Sequence, residues 1–77
     1  MKLEIISPSE IMFSGEVDVV TLPGVAGKFT VLNNHASLIS ALKAGSVRYL
    51  QAQEEFSVEI RGGLADIDQN KIAVCVY

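Results

Sequence analysis

The sequence predicts an all-β fold, a two-layer antiparallel β-sandwich or flattened barrel of about eight to ten short strands. Turn-forming residues recur every several positions from one end to the other, and no stretch shows the period of a helix. The clearest strand is Glu55–Arg61, in which Phe56, Val58 and Ile60 alternate with polar side chains. A chain of 77 residues has room for one hydrophobic core, so a single domain over residues 1–77 is expected.

The chain begins with short predicted strands separated by turns. Lys2–Ile6 is a strand that ends at Ser7–Pro8, because proline cannot donate a hydrogen bond to a neighbouring strand. Glu10–Phe13 is a short apolar segment, and Ser14–Gly15 is predicted to turn it back. Glu16–Leu22 then alternates well enough to be the next strand.

The middle of the chain consists of a turn, a strand, a second turn and another strand. Pro23–Gly24 and Gly27 bracket a tight turn, and Lys28–Leu32 alternates as a strand does. Asn33–Asn34 is predicted to turn the chain, since asparagine tolerates left-handed backbone angles. Ser37–Leu42 is predicted to be a strand, although its apolar spacing would also suit one turn of helix.

The last part of the chain continues the same pattern. Its predicted strands are Ser46–Gln51, Glu55–Arg61, Leu64–Asp68 and Lys71–Val76. Turns are predicted at Ala44–Gly45 and Gln69–Asn70, and Gln53–Glu54 is predicted to be a polar tip between strands. The pair Gly62–Gly63 lies inside strand pattern, which predicts a β-bulge or a close approach of another backbone.

The composition limits the classes of function. An apolar fraction of 49% with only 19% charged residues is enough for a core and leaves apolar surface for a partner. A net charge of −3 without a basic cluster argues against nucleic acid. The longest uncharged apolar run, Ile72–Tyr77, is far shorter than the roughly 20 residues that span a bilayer. Glu4, Pro8 and Glu10 are unlike a signal peptide, and a lone Cys75 cannot form an internal disulfide, so a soluble cytosolic chain is expected.

Few residues could carry chemistry. The only histidine, His35, and the only cysteine cannot form a His/Cys metal cluster, and no serine stands in a GxSxG motif. His35 fits a loop histidine that bonds backbone or water, or one that contacts a partner. Asp66 and Asp68 would lie about 6–7 Å apart on one strand face, a spacing that suits a hydrolytic carboxylate pair, although solvated aspartates are ordinary beside a turn.

Several spaced residues carry a family resemblance. From Pro23 to Leu38 the chain has the pattern PGxxGxFxVLxxHAxL, with FSG at Phe13–Gly15 and a glycine pair at Gly62–Gly63 on either side. Gly45 and Arg48 keep the same register. This pattern resembles the epsilon subunit of F-type ATP synthases (delta in mitochondria) over nearly the whole chain. The departures are Thr30 and Ser37, where that family often has glycine and proline.

The resemblance implies a non-catalytic β-sandwich subunit of the central stalk in a proton-driven ATP synthase. Such a subunit joins gamma to the ring of c subunits and couples ion flow to ATP synthesis. It needs no cofactor, and it lies peripherally at the cytoplasmic face of the bacterial inner membrane. A stiff two-layer sandwich suits this mechanical role, because close-packed cores deform little.

The resemblance also implies which residues meet the partners. The expected contacts with the c-ring are Val25, Ala26, Gly27 and Lys28. The expected contacts with gamma are Ser7, Asn34, His35, Ala36, Ser37 and Ser40. The expected structural turn and bulge positions are Gly15, Pro23, Gly24, Gly45, Gly62 and Gly63. Lys28 stands where some relatives have an acidic residue. Its partner group would therefore be acidic, whereas the partner of an acidic residue would be basic.

The sequence leaves open both the extent of the natural chain and its function. Many members of that family continue past the position of Tyr77 into two regulatory helices, so the chain is either a natural short form or an excised domain. The competing function is that of a free-standing β-sandwich that binds a ligand or a protein through the loops of residues 23–37. A hydrolase using Asp66 and Asp68 is a third hypothesis.

Overall fold

A computed structural model describes residues 1–77 as seven β-strands without a helix. The strands are β1 Lys2–Ile6, β2 Ile11–Glu16, β3 Val19–Gly24, β4 Gly27–Val31, β5 Leu38–Gln51, β6 Glu54–Asp68 and β7 Lys71–Val76. They form one mixed sheet in the order β2-β1-β7-β6-β5-β3-β4. The predicted all-β class is confirmed, with fewer and longer strands than the sequence pattern suggests.

The strand count falls because predicted breaks do not occur in β5 and β6. The turn predicted at Ala44–Gly45 is wrong, since β5 continues through both residues and pairs with β6 from Leu38 to Gln51. Gly45 is required by a close contact rather than by a turn, because a Cβ atom on it would lie 3.0 Å from Cβ of Pro23. The glycine therefore lets β3 approach the middle of β5.

The bulge predicted at Gly62–Gly63 is also wrong, because β6 keeps one register with β5 across the pair and pairs regularly with β7 from Gly63 onward. The backbone of Gly63 instead lies against β7, and a Cβ atom would stand 2.1 Å from the carbonyl oxygen of Cys75. Both glycines have positive φ, 150° and 158°. The close backbone approach named as an alternative is what requires glycine at residue 63.

The two long strands change the face that they bury near their midpoints. In β6 the buried apolar residue before the glycine pair is Ile60, and after it they are Ala65 and Ile67, so the inward positions change from even to odd. In β5 the change lies between Leu42 and Val47. Strands that bend from one layer into the next are a known way to build two packed layers from one sheet.

One continuous core fills the space between the layers. It contains only apolar side chains apart from the phenol of Tyr49, namely Leu3, Ile5, Val17, Val20, Leu22, Val31, Leu42, Val47, Tyr49, Ile60, Ala65, Ile67, Ile72, Val74 and Val76. The edge strand β2 lies over the opposite layer, since the rings of Phe13 and Tyr49 have centroids 4.3 Å apart. Close-packed apolar layers of this kind resist deformation.

One strand pair differs from the predicted antiparallel arrangement. β1 and β7 run parallel, with Leu3 opposite Ile72 and Ile5 opposite Val74. Consecutive strands joined by tight turns must be antiparallel, whereas a parallel pair needs a long connection. Here nearly the whole chain is that connection, so local sequence patterns could not reveal the pairing.

The turn predicted at Ser14–Gly15 is wrong as well. Strand β2 extends to Glu16, with Gly15 paired opposite Leu3, and the chain changes direction at Val17–Asp18 instead. A Cβ atom on Gly15 would lie 3.1 Å from the ring of Phe13 and 3.2 Å from the amide nitrogen of Gln51. The glycine makes room for these side chains rather than for a turn.

Other predicted turns are present. The β3–β4 hairpin turns at Val25–Ala26, with Gly24 and Gly27 as its closing pair. Asn34 has a φ of 64°, as expected for a left-handed asparagine, and Gln69 at the β6–β7 hairpin has a φ of 55°. The β5–β6 hairpin turns at Ala52–Gln53, one residue before the predicted polar tip Gln53–Glu54. Ser37–Leu42 is extended from Leu38 onward rather than helical.

Candidate functional site

The loop Asn33–Ser37 is held in place by the β6–β7 hairpin. The backbone N–H of Asn34 donates to Oδ1 of Asn70 at 3.0 Å, and the hydroxyl of Ser37 donates to Oδ1 of Asp68 at 2.9 Å. The backbone of Asn70 is fixed in turn, because its carbonyl accepts from the N–H of Lys2. The loop and the hairpin together border a cleft of about 410 Å³, whose lining residues are all polar except Ala36.

His35 lies half-buried in that loop and lines the cleft. Its Nδ1 atom is 2.7 Å from the carbonyl oxygen of Ala36. No other hydrogen bond or ion pair involves the imidazole, so Nε2 has no partner within the chain. The structure thus brings Asn34, His35, Ala36 and Ser37 together at one polar surface.

The two remaining residues expected at the gamma contact lie elsewhere and make local bonds. Ser7 closes the turn between β1 and β2, where its hydroxyl oxygen accepts from the N–H of Glu10 at 3.2 Å. Ser40 is half-buried in β5 and donates to the carbonyl of Ala41 at 3.3 Å. Neither serine borders the cleft beside His35.

The residues expected to meet the c-ring form the β3–β4 hairpin turn. Val25 is 61% exposed at the tip, and its N–H donates to the carbonyl of Ala41 at 3.0 Å, which holds the turn against β5. Gly27 has a φ of 135°, and open space surrounds its Cα. Lys28 is exposed and forms no ion pair within the chain.

These two groups of residues lie at opposite ends of β4. The hairpin turn precedes Gly27, and the loop Asn33–Ser37 follows soon after Val31. A strand rises about 3.3 Å per residue, so β4 separates them by about 13 Å. One rigid strand therefore connects the two predicted contact surfaces.

An apolar row crosses the outer face of the sheet. It runs over five adjacent strands, each member directly opposite the next, through Ala41, Leu64, Cys75, Ile6 and Ile11. Leu64 is 48% exposed and Ile11 is 64% exposed. Ile39 extends the row on β5, since it lies two residues before Ala41 and is 66% exposed.

Charged residues border the apolar row on one side. The next positions on the same face include Asp66 on β6 and Glu4 on β1, and Glu4 forms an ion pair with Lys71 at 3.8 Å. An apolar centre with a polar rim is the composition of many protein–protein interfaces, and contiguous exposed apolar patches mark interaction sites. The row is therefore a candidate docking surface.

The sequence patterns did not reveal the apolar row. Its members belong to five strands, and each strand contributes one or two residues that look unremarkable alone. Only the sheet order and register bring them side by side. The one available signal was the pair Leu64–Ala65, where an apolar residue stands on each face of β6.

The two aspartates considered for hydrolysis lie in an open position. Asp66 and Asp68 are both exposed on the outer face of β6, beside Lys71 and Ala73. One oxygen of Asp68 already accepts from Ser37. The structure contains no group of three or more His, Cys, Asp or Glu residues that could hold a metal ion. It also contains no helix with the length and hydropathy of a membrane span.

Residues 1–77 match the family described as "ATP synthase, Delta/Epsilon chain, beta-sandwich domain". The chain is 44% identical to the ATP synthase epsilon chain of Chlorobium limicola over 71 residues, which cover 91% of this chain and 81% of that one. It is 37% identical over 73 residues to the epsilon chain of Desulforamulus reducens, covering 95% of this chain and 55% of the relative. The chain thus spans about half the length of several of its relatives.

Two solved structures share the fold. A chain in the Euglena gracilis mitochondrial ATP synthase structure, of OSCP, F1 and c-ring in rotational state 1, superposes with a TM-score of 0.89 at 19% identity. The match covers 96% of this chain and 48% of that chain. A chain of the central stalk and c-ring of the Tetrahymena thermophila enzyme gives 0.82 at 12% identity, over 97% and 61% of the two chains. At these identities the comparison concerns the fold alone.

Proposed function

Because the chain belongs to the delta/epsilon family of ATP synthase subunits, we propose that it is a central-stalk subunit of a proton-driven F-type ATP synthase. It joins gamma to the c-ring, so that rotation driven by ion flow reaches the catalytic sites. The whole of residues 1–77 acts as one unit in this role. The chain itself carries out no bond chemistry and uses no cofactor.

The apolar row is the observation that carries this proposal. Contiguous exposed apolar surface marks interaction sites, and a row over five strands suits a chain whose outer face is covered in an assembly. The loop Asn33–Ser37 leads directly into β5 beside Ile39, and Ser7 follows Ile6. In sequence, residues expected at gamma therefore precede the β5 end of the row and lie between its β1 and β2 members.

The distribution of the two contact surfaces also supports a joining role. Gamma meets the loop Asn33–Ser37 and the apolar row, and the c-ring meets the hairpin turn Val25–Lys28. Because β4 connects the loop and the turn as one extended strand, a force applied at one reaches the other with little deformation. The ammonium of Lys28 has no partner within the chain and pairs with an acidic group of a c-subunit loop.

The location follows from the proposed complex. The subunit lies at the cytoplasmic face of a bacterial plasma membrane as a peripheral component, held there by gamma and the c-ring. Its matches to bacterial epsilon chains support this setting.

A binding assay with purified gamma subunit from the same organism tests the proposal. The parent chain is expected to bind, His35→Lys to bind at least tenfold more weakly, and Lys28→Glu to bind as the parent does, because Lys28 belongs to the other surface. In a second assay with the purified c-ring, Lys28→Glu is expected to bind the c-ring more weakly than the parent chain does. A parent chain that does not bind gamma would favour the alternative, a free-standing binding module that uses the loops of residues 23–37.

A further inference from the structure

The imidazole of His35 has one nitrogen bonded and one nitrogen free. Nδ1 lies 2.7 Å from the carbonyl oxygen of Ala36. A carbonyl oxygen can only accept a hydrogen bond, so Nδ1 carries the hydrogen. In the neutral ring the lone pair then belongs to Nε2, which is a hydrogen-bond acceptor without a partner in the chain.

The loop around His35 is fixed before any partner arrives. Asn34 is bonded to Asn70, Ser37 is bonded to Asp68, and the N-terminal ammonium donates to Oδ1 of Asn33 at 3.2 Å. These contacts hold the loop at both sides of the histidine. A preordered acceptor loses little conformational entropy when it forms a hydrogen bond across an interface.

The surroundings favour a polar partner group. The cleft that His35 lines has one apolar residue, Ala36, and its other lining residues are Asn34, Ser37, Gln69 and Asn70. A metal ion is not favoured, because no further metal-ligating side chains are grouped with the imidazole. A lone acceptor on a half-buried ring is satisfied most simply by an N–H or O–H group from outside.

We infer that Nε2 of His35 accepts a hydrogen bond from an N–H or O–H donor of gamma and thereby determines the register of that contact. This inference rests on the proposed function, which makes gamma the partner at this loop. A carbonyl or carboxylate of gamma at the same place would face a lone pair and leave both acceptors unpaired, which disfavours a shifted or foreign partner.

Two substitutions separate the acceptor from the rest of the ring. Gln places an amide oxygen near the position of Nε2, whereas Asn reaches only the position of Nδ1 and can still donate to Ala36. In titration calorimetry with gamma, His35→Gln should bind within about twofold of the parent. His35→Asn should raise Kd about three- to tenfold, the loss of one neutral hydrogen bond. Thermal unfolding of each free variant checks that the fold is unchanged.

A nuclear magnetic resonance measurement tests the tautomer without gamma. In the free parent chain at pH 8, a long-range proton–nitrogen spectrum should show a protonated Nδ1 and an unprotonated Nε2. A spectrum with the hydrogen on Nε2 would overturn the inference whatever the binding results are.

The binding outcomes separate this inference from the proposed function. If the parent binds gamma and the His35→Gln and His35→Asn variants bind with the same affinity as each other, the role of Nε2 is overturned. This holds whether both variants match the parent or both are weakened, and the joining role is unaffected. A parent chain that does not bind gamma overturns the proposed function and the His35 contact with it. If only His35→Asn weakens binding to gamma, the result supports both the role of Nε2 and the joining function.

Discussion

Gly63 shows how a single backbone position can be fixed by its neighbour. The space of its missing side chain is filled by the carbonyl oxygen of Cys75, and its φ of 158° is unfavourable for other residues. The sequence predicted that a glycine pair mattered here, but the reason depended on the β6–β7 register. The sequence around Gly63 does not show how closely β7 approaches it across the hairpin, so the local pattern suggested a bulge.

Substitution of Gly63 by Ala should therefore destabilise the fold strongly. The added Cβ must move the backbone of β7, so we expect a loss of more than about 2 kcal/mol in the free energy of unfolding. Urea denaturation measures it. Gly27→Ala is the matched control, since Gly27 has a φ of 135° but nothing within 4 Å of a built Cβ. Equal losses in the two variants would show that backbone strain, not the contact with Cys75, sets the effect.

Tyr49 gives the chain a pH-dependent stability at alkaline pH. Burial raises the pKa of its phenol above the ordinary value of about 10. The folded state therefore favours the neutral phenol, and the associated stabilisation is complete below about pH 10 and is lost as the pH rises through the raised value.

A comparison with Tyr49→Phe isolates this effect. The parent should lose melting temperature faster than Tyr49→Phe as the pH rises above about 10, with little difference in slope at neutral pH. Tyr77→Phe serves as the control, because Tyr77 is 79% exposed and its substitution should leave the alkaline slope as in the parent. Parallel curves for the parent and Tyr49→Phe would rule out Tyr49 as the source.

At the level of strands, the sequence predicted which segments are extended but not where they join. Alternation in Glu55–Arg61 and turn residues such as Asn33–Asn34 act locally, and these features are confirmed. Gly15, Gly45 and Gly62–Gly63 were expected to mark turns or a bulge, yet each lies inside a strand. Glycine serves both for turns and for close contact between strands, and only the tertiary contacts decide between these uses.

The β5–β6 hairpin has a turn that its residues do not favour. Ala52 and Gln53 have φ values of 51° and 67°, the pattern of a type I′ turn, which prefers asparagine followed by glycine. The double substitution Ala52→Asn with Gln53→Gly supplies that preferred pair. It should raise the free energy of unfolding by about 1 kcal/mol, because both new residues adopt positive φ with less strain.

Urea denaturation of this double variant checks the prediction. Glu55→Gly is the control, because Glu55 is exposed in the adjoining strand without a positive φ, and glycine there should destabilise. A double variant that is less stable than the parent would contradict the role assigned to turn strain.

At the level of the whole molecule, the apolar row is the feature that no sequence pattern contained. The composition correctly predicted surplus apolar surface, and the resemblance supplied the expected partner. The position of that surface needed the mixed sheet order, in which the parallel β1–β7 pair brings Ile6 beside Cys75. The resemblance identified the residues of the two candidate contact loops, Val25–Lys28 and Asn33–Ser37. It did not identify the residues of the apolar row.

Placing a charge in the apolar row should weaken binding to gamma without unfolding the chain. Leu64→Lys adds one positive charge at a 48% exposed position, so it should raise Kd for gamma at least tenfold and change the melting temperature little. Gln53→Lys adds the same charge at an exposed hairpin turn away from the row and should bind as the parent does. Equal affinity of the two variants would show that gamma does not cover the row.

The parallel pairing of β1 with β7 also bears on how the protein folds during synthesis. Leu3 and Ile5 enter the core beside Ile72 and Val74, so β1 has no neighbour on that side until β7 has left the ribosome. Contacts between such distant parts of a chain slow folding. The emerging chain must keep β1 unpaired along that edge, and folding of the complete core is expected only after the release of β7.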